Sequence, residues 1–139
     1  MLYFKLFSLK ELNTFGISCT ANHFLMVHTE REAVEFFRET CSWEKPLLII
    51  GQGSNLLFTS DFPGTVVRST ITGISIVKQD GEHVIISAGS GVVWDELVEW
   101  ATGKGYYGIE NLSYIPGLVG AAPVQNIGAY GVEIGRAHV

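Results

Sequence analysis

Gln125 and Asn126 are the two carboxamides in the run Ile115-Pro-Gly-Leu-Val-Gly-Ala-Ala-Pro-Val-Gln-Asn-Ile-Gly-Ala-Tyr-Gly131, which carries no charge. A primary amide offers both donors and acceptors, the groups needed to read the polar edge of a flat ring. Around them, glycines at 117, 120, 128 and 131 bare the backbone and permit positive φ, while Pro116 and Pro123 fix φ. This composition suits neither an amphipathic helix nor a strand with one wet face. The functional reading is a backbone wall against a flat, polar, uncharged ligand surface. The plainer alternative is a glycine-rich buried turn.

A second candidate follows the short apolar run Leu47–Ile50, which has the pattern of a buried strand. It delivers Gly51-Gln-Gly-Ser-Asn55, where bare backbone N–H groups could converge on an anion. Ser54 and Asn55 add a hydroxyl and an amide donor. The turn is not a dinucleotide-binding G-x-G-x-x-G, because position 56 is leucine and an extended pattern, Leu56-Leu-Phe58, follows instead of a helix. It is not an ATP-binding P-loop either, since no lysine is near. A structural bend is the other reading of this turn.

Other chemistry is thinly represented. Ser87-Ala-Gly-Ser-Gly-Val92 could offer a helix N-terminus to an anion, or serve only as a strand–helix connection. His23, His28, His83 and His138 share no metal-ligand spacing, and no metal site is expected. Asp95, Glu96 and Glu99 read as a wet helix face. G-x-S-x-G is absent. Tyr106, Tyr107 and Tyr114 could line a cavity, with core packing the ordinary role for each.

Three stretches together carry a family resemblance. IPGLVGAAPVQNIGAYG, the upstream Leu48-Ile-Ile-Gly-Gln-Gly-Ser-Asn-Leu-Leu-Phe58 and the early Asn13-Thr-Phe-Gly16 resemble, in the same order, the motifs of the UDP-N-acetylenolpyruvoylglucosamine reductase family. The resemblance runs from about residue 10 to 133 and implies an α+β (α/β) FAD-binding domain of the vanillyl-alcohol-oxidase or PCMH type, with the flavin between two subdomains. It implies noncovalent FAD, because no histidine or cysteine lies in the glycine-rich motifs. Carried over residue by residue, the flavin contacts fall on Gly51, Gln52, Gly53, Ser54, Asn55 and Leu56, on Gly89, and on Pro116, Gly117, Gly120, Ala121, Ala122, Gln125, Asn126, Gly128, Ala129 and Tyr130. The turn at 51–55 would hold the FAD pyrophosphate. The implied activity is NADPH-using reduction of UDP-N-acetylglucosamine enolpyruvate to UDP-N-acetylmuramate in peptidoglycan synthesis. NADPH and a UDP-sugar would be small-molecule partners, in the cytoplasm. The family's proton-donating serine and its supporting glutamate and arginine lie beyond the last motif, so no catalytic residue is assigned. The resemblance thus reads residues 1–133 as the amino-terminal part of the domain, incomplete at its carboxyl end and expected to be inactive alone. Another noncovalent FAD oxidoreductase or oxidase, or an inactive binding module, are the rival readings.

In residues 134–139, Ile-Gly-Arg-Ala-His-Val, Ile134 could pass for the next residue of a strand, but the five that follow have neither strand alternation nor a helix face. A common sequencing-adapter sequence read in frame encodes the same six residues, so they are expected to be a non-native tail.

The remaining chain must position these stretches. At 139 residues, 47% hydrophobic and 17% charged, it has the size and balance of one globular domain. A net charge of −5 with nine scattered basic residues argues against nucleic acid. No apolar run is long enough to span a bilayer, and MLYFKLFSLKEL lacks the basic start and cleavage site of a signal peptide. Cys19 and Cys41 form no C-x-x-C pair and fit a reducing compartment. A strand is predicted at 23–28. Thr29 and Glu32 form a capping box opening a helix to about Thr40, with Ala33, Phe36 and Phe37 on one face. A turn at 61–64 precedes a strand at 65–67. Strands at 74–77 and 83–86 flank Asp80-Gly81, a two-residue hairpin signal. Ser90 is expected to cap a helix over 92–102, with Val93, Leu97, Val98 and Ala101 inward and Gly103-Lys-Gly105 ending it.

Overall fold

Residue alternation builds the first of two units, Met1–Ile71 and Thr72–Val139, in the computed structural model, which describes residues 1–39 and 42–134. Strands β1 (Leu2–Ser8), β2 (Thr20–Val27), β3 (Leu47–Ile50) and β4 (Phe62–Ser69) form a sheet in the order β1-β2-β4-β3. β2, β3 and β4 run parallel, and β1 runs antiparallel along β2. Phe24, Ile50 and Val66 point to one face, where Leu9, Leu12, Cys19, Leu56 and Phe58 cover them. Leu25, Val27 and Val67 point to the other, under Phe36 of helix α1 (Glu30–Arg38). Period-2 alternation places successive side chains on opposite faces, so both faces must be apolar. Phe24 is fully buried and stacks on Phe7 at 4.2 Å between centroids. Burying a side chain of that size contributes about 1.5–3 kcal/mol.

Several expectations need correction here. β3 has the predicted bounds, but it is an edge strand and Ile49 is 57% exposed. Leu56–Phe58 forms no strand; Leu56 and Phe58 pack as loop residues, while Leu57 faces out. The predicted turn at 61–64 is mostly strand, because β4 starts at Phe62 and the ladder slips between Ala21 and His23 to admit Pro63. β3 pairs only from Thr65 onward, so the missing proline N–H costs no bond on that side. In α1, Thr29 Oγ1 accepts the Glu32 N–H at 3.2 Å, as the capping box predicts. Glu32 reaches back to the N–H of His28 at 2.7 Å instead of that of Thr29. Phe37 is exposed, since only Phe36 and Ala33 meet the sheet. The helix ends at Arg38 with Glu39 as its C-cap, two residues before the expected end near Thr40. Thr40 and Cys41 themselves lie outside the described residues.

The second unit begins with the hairpin β5 (Ile74–Gln79) and β6 (Val84–Ala88). Its loop spans 80–83 instead of two residues. The Asp80 carboxylate accepts the N–H groups of Glu82 at 3.0 Å and His83 at 2.8 Å, a side-chain turn that outcompetes the tight form. Helix α2 (Trp94–Gly103) buries Trp94, Leu97, Val98 and Ala101. Its N-cap is Val93, not Ser90, and Trp94 replaces Val93 on the inward face. The Trp94 N–H donates instead to Gly117 O at 3.0 Å. Gly105, at φ +76°, ends the helix, with Tyr106 N–H donating to Ala101 O and Gly105 N–H to Thr102 O, both at 2.9 Å. Val92, Trp94, Leu97, Val98, Leu112, Ala122 and Ile127 make the core. The mixture of helices and strands agrees with the α+β expectation.

Candidate functional site

The first unit presents the turn Gly51–Asn55 at the carboxyl end of the parallel strands, where open α/β sheets bind ligands. The turn starts a crossover from β3 to the neighbouring parallel β4, which an ordinary hairpin cannot make. Among the described residues, the N–H groups of Gln52, Gly53 and Asn55 have no partner, nor do the Gln52 and Asn55 carboxamides. Gly53 is buried at φ +69°, and a Cβ there would stand 2.0 Å from the Leu12 carbonyl oxygen. That glycine is therefore required by the chain itself, whatever it also offers a ligand.

Leu12 belongs to the loop that carries Asn13-Thr-Phe-Gly16. Asn13 is 6% exposed. Its Nδ2 donates to the carbonyls of Leu9 at 2.9 Å, Ile17 at 3.0 Å and Lys10 at 3.3 Å, while its Oδ1 accepts the Ile17 N–H at 2.9 Å. The Thr14 N–H donates to Gly53 O at 3.4 Å. Sequence reading placed this stretch among the motifs but assigned it no contact. It also passed over Arg68, whose register partner is Ile50, one residue before the turn. Arg68 shares the Val66 face by alternation. Its Nε is buried without a partner among the described residues.

The second unit turns the small-residue run into structure. A 3₁₀ turn at Val119–Ala121 leads into the short helix α3 (Ala122–Gln125), followed by the hairpin β7 (Gly128–Ala129) and β8 (Val132–Glu133). Tyr130 and Gly131, at φ +53° and +80°, form the two-residue turn between Ala129 and Val132. A Cβ on Gly120 would stand 2.6 Å from Ser90 Cβ, and one on Gly128 would stand 3.1 Å from Glu133 Cβ. Gly120 N–H donates to Ser90 O at 3.1 Å, and Gly89 N–H to Gly73 O at 2.9 Å. These glycines thus have intramolecular reasons as well. The carboxamides of Gln125 and Asn126 have no hydrogen-bond partner among the described residues. Asn126 caps α3 in the left-handed region at φ +50°. Pro116 and Tyr130 are exposed, Ala121 and Ala129 half-buried and Ala122 buried.

Asp95 is no idle surface acid. Its Oδ1 accepts the Ser113 hydroxyl at 2.7 Å and the Tyr114 N–H at 2.8 Å. The Ser113 hydroxyl first, then that N–H, hold the carboxyl below its ordinary range. Tyr107 and Tyr114 face outward, and Tyr106 donates to Gln79 Oε1 at 3.1 Å, so core packing describes none of the three. The described residues contain no group of acids, histidines or cysteines that could hold a metal. His138 lies outside them, as do residues 135–139 of the expected tail.

In the first unit, the N–H groups of Gln52, Gly53 and Asn55 and the Arg68 Nε, unpartnered among the described residues, suit a phosphate. In the second, two unpaired carboxamides beside bare backbone suit the edge of a flat polar ring. Comparison with known proteins agrees. The sequence matches the FAD binding domain family over residues 21–139. It is similar to UDP-N-acetylenolpyruvoylglucosamine reductase of Pseudomonas fluorescens Pf-5, at 46% identity over 91% of this chain and 38% of that protein. The corresponding reductase of Alcanivorax borkumensis is 48% identical over 92% of this chain and 37% of its own length. The crystal structure of UDP-N-acetylenolpyruvylglucosamine reductase from Thermus caldophilus superposes with a TM-score of 0.68 at 25% identity, over 95% of this chain and 44% of that one. The chain therefore spans less than half the length of these relatives. By profile the chain belongs to the FAD binding domain family, and in sequence and fold it is similar to the UDP-N-acetylenolpyruvoylglucosamine reductases.

Proposed function

We propose that this chain supplies flavin-binding elements of an NADPH-using reductase that converts UDP-N-acetylglucosamine enolpyruvate to UDP-N-acetylmuramate. When bound, FAD supplies the hydride chemistry, and the protein binds and orients it. Gly51–Leu56 and Arg68 meet the pyrophosphate: the amides of Gln52, Gly53 and Asn55 donate to it, and Arg68 balances its charge. Gly89, Pro116, Gly117, Gly120, Ala121, Ala122, Gln125, Asn126, Gly128, Ala129 and Tyr130 provide the surface for the rest of the flavin. Residues 1–133 are the FAD-binding part, and the stretch from 134 is outside it. The UDP-sugar and NADPH are partners of the whole enzyme, in the cytoplasm. No helix among the described residues is long and apolar enough to cross a membrane.

The observation that best supports this reading is the set of unpartnered amides in both glycine-rich segments. FAD is titrated against the purified chain and read by flavin fluorescence. Saturable quenching is expected, weakened by about 1–3 kcal/mol in Asn126→Gly, which keeps the left-handed backbone and removes the carboxamide. No saturable binding by the folded wild-type chain would overturn the reading.

A further inference from the structure

We propose that Asn13 is the positioning residue of the glycine turn, holding Gly51–Asn55 in the shape that presents its free amides to the phosphates of FAD. This rests on the flavin reading above, and it assigns work to a loop outside the flavin-contact residues named there. The N–H groups of Gln52, Gly53 and Asn55 have no partner among the described residues, so they do little to hold the turn in one conformation. Its shape must come from what packs against it.

Two contacts do this. The Leu12 carbonyl sits so close to Gly53 that no Cβ fits, and the Thr14 N–H donates to the Gly53 carbonyl at 3.4 Å. The second contact points the Gly53 carbonyl toward the loop, and in a planar trans peptide that turns the N–H of the same unit, on Ser54, away from it. Leu12 and Thr14 flank Asn13, whose side-chain amide ties the loop to itself from Leu9 to Ile17. Three accepting carbonyls and one donating N–H use both faces of the carboxamide. The group is almost fully buried, so losing it leaves those backbone groups without partners. The loop would then relax, and Leu12 and Thr14 would release the turn. Gly16, at φ +62° with open space around it, lets the chain close this loop.

The test uses the whole chain, with order read before any flavin is added. In Asn13→Ala, the ¹⁵N order parameter of Gly53 should fall from about 0.85 to below about 0.6, with the β4 resonances of Val66 and Val67 unmoved. Riboflavin has the ring but no pyrophosphate. The preference for FAD over riboflavin should therefore fall about tenfold in Asn13→Ala. An unchanged Gly53 order parameter would overturn the proposal, as would a lowered one with the FAD preference intact. A wild-type chain without any preference for FAD would instead sink the phosphate reading of the turn. If Asn13→Ala does not fold, inorganic pyrophosphate added to the wild-type chain decides. Shifts at Gln52, Gly53 and Asn55 should then be accompanied by a shift at Thr14, and a silent Thr14 would overturn the proposal.

Discussion

The Tyr114 N–H donates to Asp95 Oδ1 at 2.8 Å, across the gap between the first turn of α2 and the segment leading into Ile115. Tyr114 holds a left-handed backbone, φ +62°, that side chains rarely adopt. The carboxylate holds it there, together with the Ser113 hydroxyl bond at 2.7 Å. The Asp95 carboxyl is held below its ordinary value of 3.8, so its stabilising effect is complete above that value. The effect is lost as pH falls through the lowered native value. Asp95→Ala should therefore lower Tm near neutral pH, with the difference from wild type closing in acid. Thermal melts across the range from neutral pH to below the ordinary aspartate value check this. A gap that stays constant across that range would remove Asp95 from the account.

Trp94 anchors the other side of the same segment. Its indole N–H donates to Leu112 O at 2.8 Å, and both residues are buried. Trp94→Phe keeps an aromatic ring and strands the carbonyl, at a cost of about 1–3 kcal/mol. Chemical denaturation should show that loss as a lower midpoint with an unchanged slope.

Two glycines separate crowding from freedom. Gly120→Ala places a Cβ 2.6 Å from Ser90 Cβ and should cost about 1–3 kcal/mol. Gly81→Ala meets nothing within 4 Å at an ordinary φ, so it should be neutral or stabilising by up to about 1 kcal/mol. Equal melting temperatures for the two variants would contradict the close approach at 120.

Arg68 makes opposite predictions for stability and binding. Its Nε is buried with no partner among the described residues, and a buried donor left unpaired is costly. Arg68→Met keeps the apolar stem and removes the charge, so the flavin-free chain should melt no lower than wild type. FAD affinity should fall while riboflavin affinity holds. A matched loss of both would place the guanidinium away from the phosphates.

Much of the fold follows from local pattern. Leu47–Ile50 is a strand because four apolar residues lie between Pro46 and Gly51. Thr29 starts α1 because its hydroxyl accepts a first-turn N–H. Gly105 ends α2 because left-handed backbone favours glycine. Sequence missed Phe62-Pro-Gly64 as strand, because the acceptability of Pro63 depends on where the neighbouring strand begins, which is a register and not a propensity. It gave Ser90 a capping role by type, whereas Trp94 found its acceptor in Gly117, distant in sequence.

The candidate site divides the same way. Residue types alone identified the glycine-rich segments and the isolated carboxamides, because backbone access and amide chemistry are properties of the residues themselves. Which glycines are also needed by the chain was decided in three dimensions: Gly53 by Leu12, Gly120 by Ser90 and Gly128 by Glu133. Tertiary structure alone brought Asn13 to the glycine turn and left the Arg68 Nε without a partner among the described residues. Neither fact has a local signature, because close packing and missing partners are relations between segments far apart in the chain.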